Sequence, residues 1–313
     1  MKKVIGALVL GLLVVSVVVA AALGGGRIST VKGVTDRGKV GIVRVEGVIA
    51  TSSVDGGLFG GGTAGIGGII DALRRAEEDP TVKAIVLRIN SPGGTAAASQ
   101  EVARAVERVR RAGKKVVTSM ADVAASGAYW VAAGSDRIFA NPGTITGSIG
   151  VLIETVEISG LYGKLGVNKE TIKSGPYKDM GSESRPLTPK ERAIFQGMVD
   201  DIYAQFISWV AAGRKMRREE VLRLGDGRVF TGRQAKEAGL VDELGDLRDA
   251  VRCAGRLAGI EGEPEVINLG PGRFPWENLW RDLAGSSLFS SRMLPVWLLG
   301  PSLAPERGVI YGE

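Results

Sequence analysis

Twice between Val82 and Ala133 the chain passes from an apolar, β-branched run through a small-residue turn into a helical stretch. Val82-Lys-Ala-Ile-Val-Leu-Arg-Ile leads into Asn90-Ser91-Pro92-Gly93-Gly94-Thr95, and a helix is expected from about Ala97 to Arg111. Lys114 to Met120 leads into Ala124-Ala125-Ser126-Gly127-Ala128 and a second apolar helical run. Strand, glycine turn and helix in repetition predict an α/β fold: a parallel sheet with crossover helices, carrying its site at the carboxyl ends of the strands.

Both turns lie at such ends. Small residues let the backbone bend sharply at Ser126 and leave its hydroxyl accessible, which suits a nucleophile at a strand-to-helix elbow. The same serine also suits a plain helix cap. Ser91-Pro-Gly-Gly reads either as an ordinary turn or as backbone N–H groups open enough to hold an oxyanion.

The 313 residues contain no histidine and one cysteine, Cys253. That excludes Ser-His-Asp and Cys-His catalysis, His-ligated and Cys-cluster metal sites, and any intrachain disulfide. No metal or cofactor is expected. Cys253 falls in a helical, apolar-periodic run and reads as a small buried hydrophobe. The net charge of +6 is mild and mixed with acidic residues along helices, which gives nucleic-acid binding little support. Gly56 to Gly68 imitates a phosphate loop but lacks the Gly-Lys-Ser/Thr ending, so it reads as a mobile loop. A hydrolase here must take its base from Lys, Asp, Glu or Tyr.

Around this centre the chain divides into residues 1–24, an N-terminal anchor; 25–38, a glycine-bearing linker; 39–260, the folded domain; and 261–313, a tail. Val4 to Leu23 is uncharged and long enough to span a bilayer, and the lysines before it favour a cytoplasmic N-terminus. Ala20-Ala21-Ala22 offers the competing reading of a cleaved signal peptide. Strands are expected at Lys39–Val45, Asp136–Ala140, after Ser148, and at Val167–Lys173. Helices are expected at Ile66–Glu78, from the capping box at Thr188-Pro189-Lys190-Glu191 to about Ala212, from Thr231 to Ala238, and around Cys253. In the tail, Trp276 and Trp280 share a helix face that suits a membrane interface or another subunit, and Trp297 follows without a sustained period.

A lysine base must be neutral, through burial or nearby positive charge. Lys178 lies in the irregular loop Ser174-Gly-Pro-Tyr-Lys-Asp-Met-Gly, where a side chain can turn into a cleft; the residues alone favour it only weakly over Lys164, Lys169 or Lys173. The run AASGAYWVAAGSDRIFANPGTITGSIGV, with NSPGG before it and ETIKSGPYKDMGS and DGRVFTGRQAKEAGLVDELG after it, resembles the signal peptide peptidase A family. The resemblance covers roughly Val40 to Gly259.

It implies a Clp-protease/crotonase-like superhelix of ββα units and a serine protease working through a Ser–Lys dyad. By matching motif, Ser126 would be the nucleophile, Lys178 the general base and Ser148 the residue orienting the lysine. Gly94 and Gly127 would supply the oxyanion-hole amides, with Gly93 the lesser donor. The chain departs from the family's Gly-Gly after the nucleophile, having Gly127-Ala128. The resemblance further implies apolar peptide substrates (remnant signal peptides), a membrane location with the catalytic domain outside the cytoplasm, and a homo-oligomer, an octamer, whose neighbours share the substrate groove. Rival readings are a crotonase-like acyl-CoA enzyme, which the export anchor disfavours, and a scaffold that binds hydrophobic segments without cutting them. The related peptidase that partners stomatin-like proteins is disfavoured by the single anchor.

Overall fold

The structure is a computed structural model and describes residues 38–52 and 65–270. The expected anchor, most of the linker, most of the glycine-rich loop and the three tail tryptophans lie outside the described residues. No helix among the described residues is long and apolar enough to cross a membrane.

The order runs β1 (Lys39–Glu46), α1 (Ile66–Glu78), β2 (Val82–Ser91), α2 (Ala96–Arg111), β3 (Lys115–Ala125), α3 (Gly127–Ala133), β4 (Arg137–Ala140) and β5 (Ile145–Gly147). After a long irregular stretch follow α4 (Ser159–Lys164), α5 (Pro189–Arg214), α6 (Arg218–Leu224), β6 (Val229–Thr231), α7 (Gly232–Glu237), β7 (Glu243–Leu244), α8 (Leu247–Leu257) and β8 (Glu265–Asn268). They form one mixed sheet in the order β6-β5-β3-β2-β1-β8, with β4 on β3 and β7 on β4. Every pairing is parallel except β5 with β6.

Strand β3 is central to what the fold positions. Its first half pairs with β4 through Val117–Met120, and its last three residues, Val123–Ala125, pair with β5. The same edge of one strand thus hands over from β4 to β5 as it reaches Ser126. Alternation along the strands feeds two cores. On one face, Val43, Ile85, Leu87 and Met120 meet Leu73, Val106 and Tyr129 from α1, α2 and α3. On the other, Ile42, Val86, Val117 and Phe139 meet Ala250, Val251 and Cys253 of α8. Cys253 is the small buried hydrophobe its periodic run predicts.

Helix boundaries follow local chemistry closely. Helix α1 spans the predicted Ile66–Glu78, and α5 starts on the Thr188 capping box and ends at Lys215 in the left-handed conformation. Thr231 and Gln234 form the second capping box. Strands are where the prediction departs from the structure. Val167–Lys173 forms no strand, nor do the residues following Ser148; the strand of the Thr-Gly-Ser motif precedes that serine. β-branching favours a strand only where a neighbour pairs and covers it, and Ile172 is 95% exposed. Conversely, Glu265–Asn268, within the segment expected as a tail, pairs in parallel with β1. Arg75 fixes the chain beyond it by donating to the carbonyls of Leu269 and Gly270.

Helix α5 enters the core only with its second half, through Phe206, Ile207 and Val210. Its first half leaves Ile194 and Met198 exposed. With residues 150–186, that half stands off the sheet.

Candidate active site

Strand β3 ends at Ala125 and α3 begins at Gly127, so Ser126 is the elbow between them. Its backbone sits at φ 53°, ψ −124°. A residue with a Cβ rarely adopts that conformation, and the strain persists only where the surroundings over-determine it. They do so here: Ser126 N–H donates to Gly147 O at 2.9 Å, and Trp130 N–H donates to Ser126 O at 3.0 Å. Ser126 holds the N-cap position of α3, yet its side chain makes no capping hydrogen bond. The hydroxyl is left for something other than the helix, which removes the plain-cap reading.

The turn after β2 closes on this elbow. Ser91 is fully buried, and its Oγ accepts from Gly93 N–H at 3.1 Å. Gly93 adopts φ +104°, and a Cβ there would sit 2.7 Å from Gly127 N. A Cβ on Gly94 would sit 1.9 Å from Ile49 O, so only glycine permits this approach. One on Gly127 would lie 3.2 Å from Gly94 N, which sets the two amides side by side. Gly93 N–H is engaged with Ser91. Gly94 N–H and Gly127 N–H donate to no acceptor among the described residues. Ala128, where the motif departs from Gly-Gly, is buried and its methyl fills part of the core.

Strand β5 delivers Ser148 beside Ser126. Thr146 Oγ1 donates to Ala124 O at 2.7 Å, and Ser148 N–H donates to Arg228 O at 2.8 Å. Ser148 also has positive φ, 49°. Among the described residues only Ser126, Ser148 and Lys215 combine a side chain with positive φ, and two of those three line one cleft. That cleft encloses about 780 Å³ and brings Gly94, Ser126, Gly127 and Ser148 together. Its wall is apolar, built from Val48, Trp130, Ile153, Ile202 and Phe206. Trp130 and Phe206 stack with centroids 4.4 Å apart. Sequence reasoning missed this wall and also Asp226, which lines the cleft and is held by Arg228. The available signal was Trp130 four residues after Ser126, one helical turn on, hence over the same mouth.

Lys178 is not brought to the cleft. Its residue is exposed, and the loop around it packs elsewhere: Gly181 lies against Phe195 and Thr155. Phe195 and Phe206 are eleven residues apart on α5, about 16 Å along a helix rising 1.5 Å per residue. Lys178 is not among the residues that line the cleft. Among the other lysines weighed, Lys169 pairs with Glu183 at 3.3 Å and Lys173 with Asp179 at 2.6 Å, while Lys164 ends the short helix α4. Tyr129 donates to Leu240 O, and burial pushes its phenol well above the ordinary value, so it cannot serve as base. No group of acidic, cysteine or histidine side chains that could hold a metal occurs among the described residues.

The profile of peptidase family S49 matches residues 108–261. A candidate protease of Synechocystis sp. is 45% identical over 64% of this chain and 71% of its own length. A candidate signal peptide peptidase of Enterococcus faecium is 39% identical over 68% of this chain and 62% of that protein. The chloroplastic serine protease SPPA of Arabidopsis thaliana is 38% identical over 72% of this chain. The match spans only 33% of that longer protein.

Proposed function

The chain belongs to peptidase family S49, the family of the signal peptide peptidase A proteins, and on that footing we propose that it is a serine endopeptidase whose nucleophile is Ser126. The observation that carries the reading is the strained elbow, which presents an uncapped hydroxyl beside two unengaged amides. In this reading Ser126 Oγ attacks a peptide carbonyl while a neutral Lys178 takes its proton. The N–H groups of Gly94 and Gly127 stabilise the oxyanion. The lysinium then protonates the departing amine, and water, activated by the same lysine, hydrolyses the acyl-enzyme. Ser148 holds and orients the lysine. The apolar wall suits extended apolar peptides, remnant signal peptides among them. Residues 4–23 would hold the domain at the outer face of the membrane. The mixed sheet, with strands parallel and helices on both faces, suits the Clp-protease/crotonase-like superhelix.

Lys178 decides the assembly. Lys178 is exposed and is not among the residues that line the cleft of its own copy. In our reading a neighbouring copy supplies it, burying it against Ser126 and Ser148. The segment that carries it supports this. Leu152, Val156, Leu161, Leu165 and Val167 are exposed on the stand-off region, an apolar surface of the kind that marks an interface. A head-to-tail contact of this sort gives a ring where the rotation between copies closes, and in our reading it closes into a homo-oligomer, an octamer.

The test is complementation in the full-length protein. Ser126→Ala and Lys178→Ala are each expected to be inactive. Co-assembled in equal amounts, they should recover about a quarter of wild-type activity, because a site then needs its serine from one variant and its lysine from the other. A mixture that assembles and stays inactive would show that serine and lysine act within one copy.

A further inference from the structure

The loop that carries Lys178 is irregular and has almost no apolar core, yet it is tied down by a chain of charges. Arg185 donates from Nε to Asp179 Oδ2 at 3.0 Å and from Nη2 to Asp179 Oδ1 at 2.8 Å. It also donates to Glu191, from Nη1 to Oε2 at 2.9 Å and from Nη2 to Oε1 at 2.5 Å. Glu191 is 1% exposed; it is the capping-box residue of α5 and accepts from Thr188 N–H at 2.9 Å. Lys173 completes the set on Asp179 Oδ1 at 2.6 Å. One guanidinium therefore fastens the residue next to Lys178 to the buried Glu191 in the first turn of α5.

Isolated surface pairs contribute little, whereas bidentate pairs in a partly buried network fix geometry. This network does so where geometry matters most for the reaction. Asp179 is also the carboxylate nearest to Lys178 in the chain. Left unpaired, it would pair with the ammonium and stabilise the protonated form that cannot act as base. The charged groups facing Asp179 are Lys173 and Arg185, and those facing Arg185 are Asp179 and Glu191.

We propose that Arg185 is the positioning residue of Lys178: by clamping Asp179 onto Glu191 it fixes the lysine's loop and keeps the Asp179 carboxylate off the lysine. This rests on the reading of Lys178 as the base. The clamp holds throughout the range in which a lysine base works. Arg185, foremost, and then the Thr188 backbone lower the Glu191 carboxyl to about 2, and Arg185 and Lys173 hold Asp179 well below the usual carboxylate range. Both carboxyls are depressed, so the clamp is complete above the ordinary carboxylate range and is lost only as pH falls through the folded values.

The test is a pH profile of kcat/KM for an apolar peptide, measured on the full-length protein with Arg185→Gln, Arg185→Lys, Asp179→Asn and Arg185→Gln/Asp179→Asn. Arg185→Gln should lower kcat roughly 100-fold with KM nearly unchanged, as misplacement of a reacting group does. It should also move the acidic limb up by about one pH unit, because Asp179 is free to hold the lysine protonated. Arg185→Lys should recover part of kcat. The double variant should return the limb to its wild-type position while kcat stays low. Asp179→Asn alone should lower kcat without an alkaline shift, and it serves as the check if Arg185→Gln folds poorly. Wild-type kcat and limb in folded Arg185→Gln would overturn the inference, as would an equal shift in the double variant. Lys178→Ala measured alongside separates the two readings. If it is inactive while Arg185→Gln behaves as wild type, only the positioning role falls; if it is active, the base assignment falls as well.

Discussion

Ser126→Ala is expected to lower peptide turnover by about 10⁴-fold or more while the protein keeps its fold and its melting behaviour. The loss is large because the hydroxyl oxygen is the atom acylated, and removing one member of a catalytic unit costs nearly as much as removing all of it. What remains reflects substrate binding and the Gly94 and Gly127 amides. Stability should hardly move. The hydroxyl caps nothing, the substitution keeps the Cβ, and the strain at φ 53° is therefore common to both proteins. The expected change in unfolding free energy is within about 1 kcal/mol. Parallel kinetics and thermal unfolding check this. A stable variant that still cuts would exclude Ser126 as nucleophile, whereas a wild type that binds the peptide without cutting it, with a variant that keeps every function, would favour the scaffold reading.

The second large effect is at Lys178. Lys178→Met keeps a flexible apolar stem and deletes the amine, so packing at a neighbour's site is largely retained. Turnover should fall by roughly 10³-fold or more, at the upper part of what a positioned base contributes once its acid role in the leaving step is included. KM should change little. The wild type should show kcat/KM rising with pH, because only the neutral amine accepts the serine proton; activity is lost as pH falls through the lysine's pKa in the assembled protein. The variant's residual rate should lack that limb. A Lys178→Met protein with the wild-type limb would send the search to Lys164.

The centre of the fold was legible because it is local. Ile66–Glu78 was read to the residue, and Thr188 and Thr231 announced their helices through caps that need only three neighbours. The elbow was legible for the same reason: small residues between an apolar strand and an apolar helix leave little choice of backbone. The sequence could not reveal what depends on distant partners. Val167–Lys173 has strand-forming residues but no strand beside it, and Glu265–Asn268 becomes a strand only because β1 offers an edge. The cleft wall combines Val48, Trp130 and Phe206, which lie far apart in the chain. Lys178 is the sharpest case. Its loop is visible in the sequence, but that it does not line the cleft of its own copy appears only in the structure, and the charges of Asp179, Arg185 and Glu191 look like ordinary surface until they are seen to converge.

The most direct measurement is reaction of the full-length assembly with an organophosphonate that modifies activated serines, followed by mapping the adduct on the peptide containing the elbow. The expected result is one adduct, on Ser126, formed faster as pH rises and not formed at a measurable rate in Lys178→Met. An adduct on a different serine, or labelling of Lys178→Met at the wild-type rate, would contradict the pairing of Ser126 with Lys178.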